Sequence, residues 1–227
     1  MRFRRFGLAV AGAALAVTTV AGTASAVVPS TATVSVVHGI PGATVNVCVD
    51  GHRVKSSFKY GGQFTLTGVA AGSHRVKLVP WYRGCGSAAI VARTVAVTGG
   101  LNATIVARHV GSGLGLQVFV NDLSISTAGK TTITVRHAAT APAVAVWLNG
   151  GAAPAVPSLA RGASVGPVEL TPGVYAWWVS AVGGYKPVIG PRVASLAGDR
   201  AYQVYAIGTK ASNYRFVVVS QPATPSA

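Results

Sequence analysis

An internal repeat is the feature that most restricts the fold of this 227-residue chain. The segment VSVVHGIPGATVNVCVDG, residues 34–51, is matched 99 residues later by ITVRHAATAPAVAVWLNG, residues 133–150. Both segments hold an alternating apolar run, a histidine, a loop, a second alternating run and a turn residue followed by glycine. Repetition of one unit along a chain predicts two copies of one module.

The similarity continues along both halves of the chain. His38 aligns with His137 and Gly51 with Gly150, and we assign these four residues structural roles in the repeated motif. Each copy is long enough to bury a core of its own. The predicted divisions are a signal peptide over residues 1–26, copy one over 27–121, a linker over 122–130, copy two over 131–220 and a disordered tail over 221–227.

Strand signals dominate both copies. Val45, Val47 and Val49 alternate with smaller or polar residues, as expected of a strand with one buried face. Asp50-Gly51 and Asn149-Gly150 are favoured hairpin turns, because these residue types tolerate positive φ. About seven short strands in about 95 residues are typical of an antiparallel sandwich. The sequence therefore predicts an all-β fold of two tandem antiparallel β-sandwich, immunoglobulin-like domains.

The first 26 residues have the layout of a secretory signal peptide. Arg2, Arg4 and Arg5 precede an uncharged apolar run over residues 7–20, and Ala24-Ser25-Ala26 is a small-residue cleavage site. We predict cleavage after Ala26, and a protein that is secreted and extracellular or associated with the cell wall. No later apolar run is long enough to span a bilayer, so we expect no membrane span in the mature chain.

The charge of the chain is strongly positive. Its 19 lysines and arginines face four acidic residues, and the formal net charge of +15 becomes +12 without the three arginines of the signal peptide. Such a field favours anionic partners such as wall or other extracellular polymers, although it can also serve solubility alone. We expect no specific nucleic-acid partner, because no binding module is recognisable. The candidate basic surface comprises Arg53, Lys55, Lys59, Arg75 and Lys77.

Two cysteines, Cys48 and Cys85, are the only ones in the chain. In an exported protein such a pair predicts one disulfide, whereas two free thiols are the alternative. Strand alternation turns Val47 towards the core and Cys48 away from it. We therefore expect the loop WYRGCGSAA, residues 81–89, to be fastened over the outer face of copy one.

Two tryptophans occupy the corresponding places in copy two. Trp147 aligns with Cys48 and Trp178 with Lys77, so both are predicted on the outer face, with Tyr185 close by. Two interpretations stay open. The rings form a surface for carbohydrate or for the neighbouring domain, or they pack beneath the protein's own loop.

The sequence offers little for catalysis. Four scattered acidic residues make the carboxylate pair of a glycosidase improbable, and no Gly-x-Ser-x-Gly motif is present. His38 and His137, one in each copy, lack the neighbouring ligands of a metal site. We expect a non-catalytic protein without metal or cofactor. An enzyme with an unrecognised site, in which one of these histidines is essential, is the remaining alternative.

The opening motif resembles the family of domain of unknown function 4397. Its members begin with a valine-rich strand ending in His, continue through a loop with Ala-Pro, and then read Val-Asp-Val-Tyr-Val-Asp-Gly. The resemblance implies exported β-sandwich modules without an established activity. The Asp between the valines is replaced by Asn46 and Ala145, which argues against a charge-dependent role there. The matching residues are Val36, His38, Pro41, Val45, Val47, Val49, Asp50 and Gly51 in copy one, and Val135, His137, Ala138, Pro142, Val144, Val146, Asn149 and Gly150 in copy two.

Overall fold

A computed structural model describes residues 30–210 and 213–226, and within them the chain folds into β-strands. The predicted signal peptide and its cleavage site at Ala26 lie outside the described residues. The strands are β1 (Thr31–His38), β2 (Thr44–Val49), β3 (His52–Lys59), β4 (Gln63–Ala70), β5 (Gly72–Pro80), β6 (Val91–Val97), β7 (Asn102–Val110), β8 (Gly113–Val120), β9 (Ser124–Ile125), β10 (Thr131–His137), β11 (Val144–Leu148), β12 (Val156–Leu159), β13 (Ser164–Leu170), β14 (Gly173–Ala181), β15 (Pro187–Leu196), β16 (Arg200–Ile207), β17 (Arg215–Pro222) and β18 (Thr224–Pro225).

Each half of the chain forms two four-stranded sheets with the same strand order. The sheets of the first half are β3-β2-β5-β6 and β4-β1-β7-β8. Those of the second half are β12-β11-β14-β15 and β13-β10-β16-β17, which is the same pairing shifted by nine strands. The predicted all-β sandwich class is confirmed.

One pairing in each half departs from the predicted antiparallel pattern. β1 pairs in parallel with β7, with Val36 opposite Ile105, and β10 pairs in parallel with β16. Parallel neighbours need a long crossover between them. Here the strands of the facing sheet supply that crossover, because the chain runs through β2, β3, β5 and β6 before it returns beside β1.

The turns of the repeated motif adopt the conformation that their residues favour. Asp50 and Gly51 have φ values of 50° and 84°, and Asn149 and Gly150 have values of 51° and 67°. The side chains also bind across the sheet, since Oδ1 of Asp50 accepts the Arg75 N–H at 2.7 Å and Oδ1 of Asn149 accepts the Ala176 N–H at 2.9 Å. The same turn, closed by the same contact, therefore occurs in both halves.

Each pair of facing sheets encloses its own apolar core. Val36, Val47 and Leu78 belong to the first core, and Val146 and Trp177 belong to the second. These residues lie on the strand faces that the alternation in the sequence assigns to the interior.

A third apolar cluster joins the two sandwiches. Val37, Val106 and Phe119 extend from the outer side of the β4-β1-β7-β8 sheet and pack against Tyr205 and Val217 of the β13-β10-β16-β17 sheet. The four sheets therefore form one stack, with these two sheets in the middle. Because the middle sheets are covered on both sides, all seven residues of β10 are buried.

Arg136 of β10 lies inside the contact between the sandwiches, with a side chain that is 2% exposed. Its guanidinium donates to Oδ1 of Asn121 at 2.6 Å, to the Tyr205 hydroxyl at 2.5 Å and to the carbonyl oxygen of Val120 at 2.8 Å. It also lies 4.8 Å from the centre of the Phe119 ring. Burial raises the pKa of the Tyr205 hydroxyl, and Arg136 opposes that rise. This charged group is thus fixed by neutral partners from both halves.

The predicted disordered tail is wrong over residues 221–226. Gln221 and Pro222 belong to β17, and β18 pairs in parallel with β9 of the linker. Oε1 of Gln221 accepts a hydrogen bond from Asn102 at 2.5 Å. Backbone pairing and a partly buried amide contact, neither of which has a signal in the sequence, hold this polar segment in place.

Across residues 30–210 and 213–226, the chain contains no helix of the length and apolar character required to cross a bilayer.

Candidate functional site

A disulfide fastens the loop between β5 and β6 to the outer face of the first sandwich. Cys48 on β2 and Cys85 in the loop are bonded, with Cα atoms 5.8 Å apart, and they lie 37 positions apart in sequence. The predicted disulfide is confirmed. We call residues 81–89 the stapled loop.

Polar side chains beneath the stapled loop hold its backbone. Nδ2 of Asn46 donates to the carbonyl oxygens of Trp81 at 2.8 Å and Arg83 at 2.9 Å. Nζ of Lys77 donates to the carbonyl oxygens of Cys85 at 2.8 Å and Ser87 at 3.0 Å. Four carbonyl groups of the loop are thereby bound from below.

These contacts correct the expectation for Lys77 and explain why position 46 carries an amide. Lys77 was expected to be part of the basic surface, but the loop covers it and its ammonium group binds loop carbonyls. Asn46 can donate to two carbonyl oxygens, which an ionised Asp cannot do. The amide at this position, where the family motif has Asp, therefore suits the loop that lies above it.

The stapled loop presents two aromatic rings and one cation to solvent. Trp81 is 56% exposed and Tyr82 is 66% exposed, with their ring centroids 5.8 Å apart in an edge-to-face arrangement. The guanidinium of Arg83, itself exposed, lies 5.4 Å from the centre of the Tyr82 ring. Sequence reasoning did not single out these three side chains. The sequence signal that could have identified them is their position just before Cys85, because the disulfide fixes the loop there and the glycines on either side of Cys85 cover nothing.

The corresponding face of the second sandwich carries an aromatic cluster instead. The rings of Trp147 and Trp178 are parallel within 2° with centroids 5.7 Å apart, and the Tyr185 ring meets both edge-on. Nε1 of Trp178 donates to the Tyr185 carbonyl oxygen at 3.2 Å, and Nε1 of Trp147 donates to Oγ of Ser180 at 2.9 Å. The loop of the second sandwich is thus held by aromatic packing where the first uses a disulfide.

This arrangement agrees with the second interpretation of the tryptophans, in which they pack beneath the protein's own loop. Trp147 and Trp178 do face away from the core, but each is only 6% exposed, so neither presents an open ring face. Tyr185 is 58% exposed. The three residues are not an interdomain surface, because the sandwiches meet through their other sheets.

The two repeated histidines are buried at the ends of β1 and β10. Nδ1 of His38 accepts the Ile40 N–H at 3.2 Å, and Nε2 of His137 lies 2.8 Å from the carbonyl oxygen of Pro142. Burial lowers the pKa of His38 from its ordinary 6.5 to about 4 and also lowers that of His137. Both contacts close local loops. In the part of the chain that the structure describes, no three His, Cys, Asp or Glu side chains are grouped as metal ligands.

Strand β3 exposes the other members of the candidate basic surface. Arg53, Lys55 and Lys59 are exposed on this strand, which forms one edge of its sheet. Arg53 lies directly opposite Cys48, beside the disulfide. Arg75 is exposed on β5.

The acidic side chains are all engaged elsewhere. Asp50 contacts His74 at 2.6 Å, Asp122 accepts the Ser124 N–H, Glu169 accepts the Ser126 N–H, and Asp199 accepts the Gly129 N–H. The His74 hydrogen bond lowers the pKa of Asp50, and the backbone of Ser126 lowers that of Glu169. Over residues 30–210 and 213–226, the Asp50–His74 contact is the only ion pair, so no lysine or arginine there has a carboxylate partner.

Two arginines at the junction of the sandwiches illustrate this lack of carboxylate partners. Nε of Arg108 and Nη2 of Arg161 donate to the same carbonyl oxygen, that of His109, at 3.2 Å and 2.8 Å. Burial lowers the pKa of Arg108, and the charge of Arg161 lowers it further. Like charges are thus held together by neutral acceptors.

Comparison with known proteins identifies the family. Among solved structures, the Bacillus anthracis TIE protein is similar with 14% identity and a TM-score of 0.25, over 80% of this chain and 34% of that one. The chain therefore spans about a third of that protein's length. No curated protein matches the sequence. The family model for the domain of unknown function DUF4397 matches residues 32–147, from β1 to β11, and the chain therefore belongs to this family.

Proposed function

We propose that this chain is an exported, non-catalytic binding protein that contacts anionic polymers of the cell wall or extracellular space through its basic surface. The observation that carries the proposal is the absence of ion pairs for lysine and arginine throughout residues 30–210 and 213–226. Each of these cations keeps its charge free of a carboxylate partner.

The electrostatics follow from this arrangement. The few carboxylates accept hydrogen bonds from backbone amides and hydroxyl groups, so they lower the net charge of the chain but pair with no individual lysine or arginine. Uncompensated charge raises the local concentration of oppositely charged ligands. It also leaves the exposed guanidinium and ammonium groups, such as those of Arg53, Lys55 and Lys59, available for a carboxylate or phosphate of a polymer.

Export is supported by the predicted signal peptide together with the Cys48–Cys85 bond. Disulfides form and persist in oxidising compartments outside the cytoplasm. The non-catalytic role is supported by the dispersed carboxylates and by the engagement of His38 and His137 in buried loop contacts. A carbohydrate platform made of Trp147 and Trp178 is a weaker candidate because both rings are covered.

The test is co-sedimentation of the purified chain, without its signal peptide, with bacterial cell walls before and after removal of their anionic polymers. Salt is varied from about 0.05 M to about 0.5 M, which shortens the screening length severalfold. We expect binding that requires the anionic polymers and falls steeply with salt. Binding that persists on stripped walls at high salt would contradict the proposal.

A charge-matched pair of variants tests where the contact lies. Arg53, Lys55 and Lys59 are changed to Gln in one protein, and Lys186, Arg192 and Lys210 are changed to Gln in the other. Both variants lose the same charge. We expect the β3 variant to bind more weakly than its control, whereas equal weakening would mean that net charge alone drives association.

A further inference from the structure

We propose that Trp81, Tyr82 and Arg83 of the stapled loop form a preorganised recognition site for a negatively charged sugar unit. This inference rests on the proposed function and names the part of the surface that would distinguish one polyanion from another.

The first support is the rigidity of the loop. The disulfide and the side chains of Asn46 and Lys77 fix it from three points, and four of its carbonyl oxygens are bound. A side chain on a flexible loop must be ordered when a ligand binds, which costs free energy. A loop ordered in advance avoids most of that cost.

The second support is the identity of the exposed groups. Trp, Tyr and Arg are the residue types that contribute most often to binding energy, and the loop places all three in succession. The four tryptophans of the chain differ sharply in burial, because Trp147, Trp177 and Trp178 are covered and Trp81 alone is open. The Trp81 ring meets the Tyr82 ring edge-on and is otherwise more than half exposed.

The charge around the loop selects the ligand class. Arg83 is exposed in the loop, and Arg53 is exposed beside the disulfide on the same face of the sheet. An aromatic ring can pack against the apolar face of a sugar ring, while a guanidinium pairs with a carboxylate or phosphate on it. Apart from Cys85, the rest of the loop consists of glycine, serine and alanine, so it adds no further large apolar side chain of the kind that fills the core of a protein–protein interface.

The fluorescence of Trp81 provides a measurement of ligand binding at the loop. Acrylamide, a neutral quencher, should reach Trp81 but not the three covered tryptophans. We expect oligogalacturonate, which combines sugar rings with carboxylates, to protect Trp81 from quenching. Its methyl-esterified form supplies the rings without the charge, and inorganic polyphosphate supplies the charge without the rings. Both should protect Trp81 at least about tenfold less effectively, because each lacks one of the two contacts.

Matched variants separate the site from general charge. Tyr82→Ala and Arg83→Gln should each weaken oligogalacturonate binding by about tenfold, measured by calorimetry at constant ionic strength. Tyr185→Ala and Arg192→Gln, which alter an equally exposed tyrosine and an exposed arginine of the second sandwich, should leave it within about twofold. Circular dichroism and thermal unfolding verify that each variant is folded.

The outcomes separate this inference from the proposed function. If the protein binds walls and the loop variants bind them as well as the wild type does, the inference is wrong and the proposed function stands. If the protein does not bind cell walls but binds oligogalacturonate through the loop, the proposed function is wrong and the inference about the stapled loop stands. The inference is overturned if polyphosphate protects Trp81 from quenching as well as oligogalacturonate does. It is also overturned if no glycan protects Trp81 and only a protein partner does.

Discussion

Asn46 is buried beneath the stapled loop and uses both ends of its amide. Nδ2 donates to two loop carbonyls, while Oδ1 accepts the Ser57 N–H at 3.1 Å. A carboxylate here would face two carbonyl oxygens without a proton to offer them. The cost of burying such an unpaired charge is large unless the group becomes protonated.

Asn46→Asp is therefore expected to lower the free energy of unfolding at pH 8 by about 2–4 kcal/mol. The loss should shrink in acid, because a protonated Asp regains one donor. Urea unfolding at pH 8 and at pH 5 measures both effects. Asn149→Asp is the matched control, since Asp50 already occupies the equivalent turn in the first sandwich. A penalty that is the same at both pH values would contradict this explanation.

His38 makes the free energy of unfolding of the wild-type protein depend on pH. Its pKa is about 4 in the folded chain and 6.5 in the unfolded chain, because burial disfavours the protonated ring. The unfolded state therefore binds more protons between these values. The stability that neutral His38 provides is complete above pH 6.5, and about 3 kcal/mol of it is lost as the pH falls to 4.

His38→Asn should remove much of this pH dependence. The Asn oxygen can replace Nδ1 as the acceptor for the Ile40 N–H, and it does not titrate. Urea unfolding from pH 8 to pH 4 should give a flatter profile than the wild type, with a remaining slope from His137. His52→Asn, at an exposed position, should keep the wild-type slope. An unchanged slope in His38→Asn would show that another group carries the effect.

At the scale of elements, the stapled loop combines a covalent bond with hydrogen bonds. In the chain-entropy description, closing a loop between cysteines 37 positions apart stabilises the fold by about 4 kcal/mol. This contribution acts on the unfolded chain. The contacts of Asn46 and Lys77 act on the folded chain, so the two contributions can be measured separately.

A Cys48→Ala, Cys85→Ala double variant should unfold at a lower urea concentration, with a loss approaching about 4 kcal/mol. Its native Trp81 emission should stay close to that of the wild type, since the two polar side chains still hold the loop. Lys77→Met in the disulfide-bonded protein provides the comparison. A native spectrum that changes in the double variant alone would mean that the disulfide itself positions Trp81.

The strands and turns could be predicted because their signals are local. Alternation of period two marks the buried face of β2, and Asp50-Gly51 has a strong intrinsic preference for its turn. The disulfide could be predicted from the number of cysteines together with the predicted signal peptide. The parallel pairing of β1 with β7 could not be predicted, because it depends on which strands the chain passes through before it returns.

The lack of long-range information in local sequence patterns also explains what could not be predicted at the candidate site. Alternation places Trp147 and Trp178 away from their own core, but it carries no information about what covers them. Trp81 shows the reverse case, since a loop residue has no period from which exposure can be inferred. Arg136 resembles any strand-face cation in the sequence, and only the meeting of two sheets makes it a buried residue.

At the scale of the whole molecule, Arg136 connects the two sandwiches. Arg136→Met keeps an unbranched aliphatic stem but removes the hydrogen bonds to Asn121, Tyr205 and the Val120 carbonyl. We expect the free energy of unfolding to fall by about 3 kcal/mol. We also expect faster proteolysis of the linker, residues 122–130, as the sandwiches separate more often.

Urea unfolding and limited proteolysis measure these two effects. Arg192→Met, at an exposed position on β15, serves as the control and should behave like the wild type. If Arg136→Met is as stable and as resistant as this control, the apolar cluster and the other hydrogen bonds between the halves hold the sandwiches together without Arg136.

The stacking of the four sheets also fixes where the two remaining open faces point. With neighbouring sheets about 10 Å apart, the sheet beneath the stapled loop and the sheet that carries the aromatic cluster are separated by about 30 Å and look in opposite directions. One polymer strand cannot lie along both faces without wrapping around an edge of the molecule. Under the proposed function, the duplicated module would therefore join separate polymer strands rather than close on one.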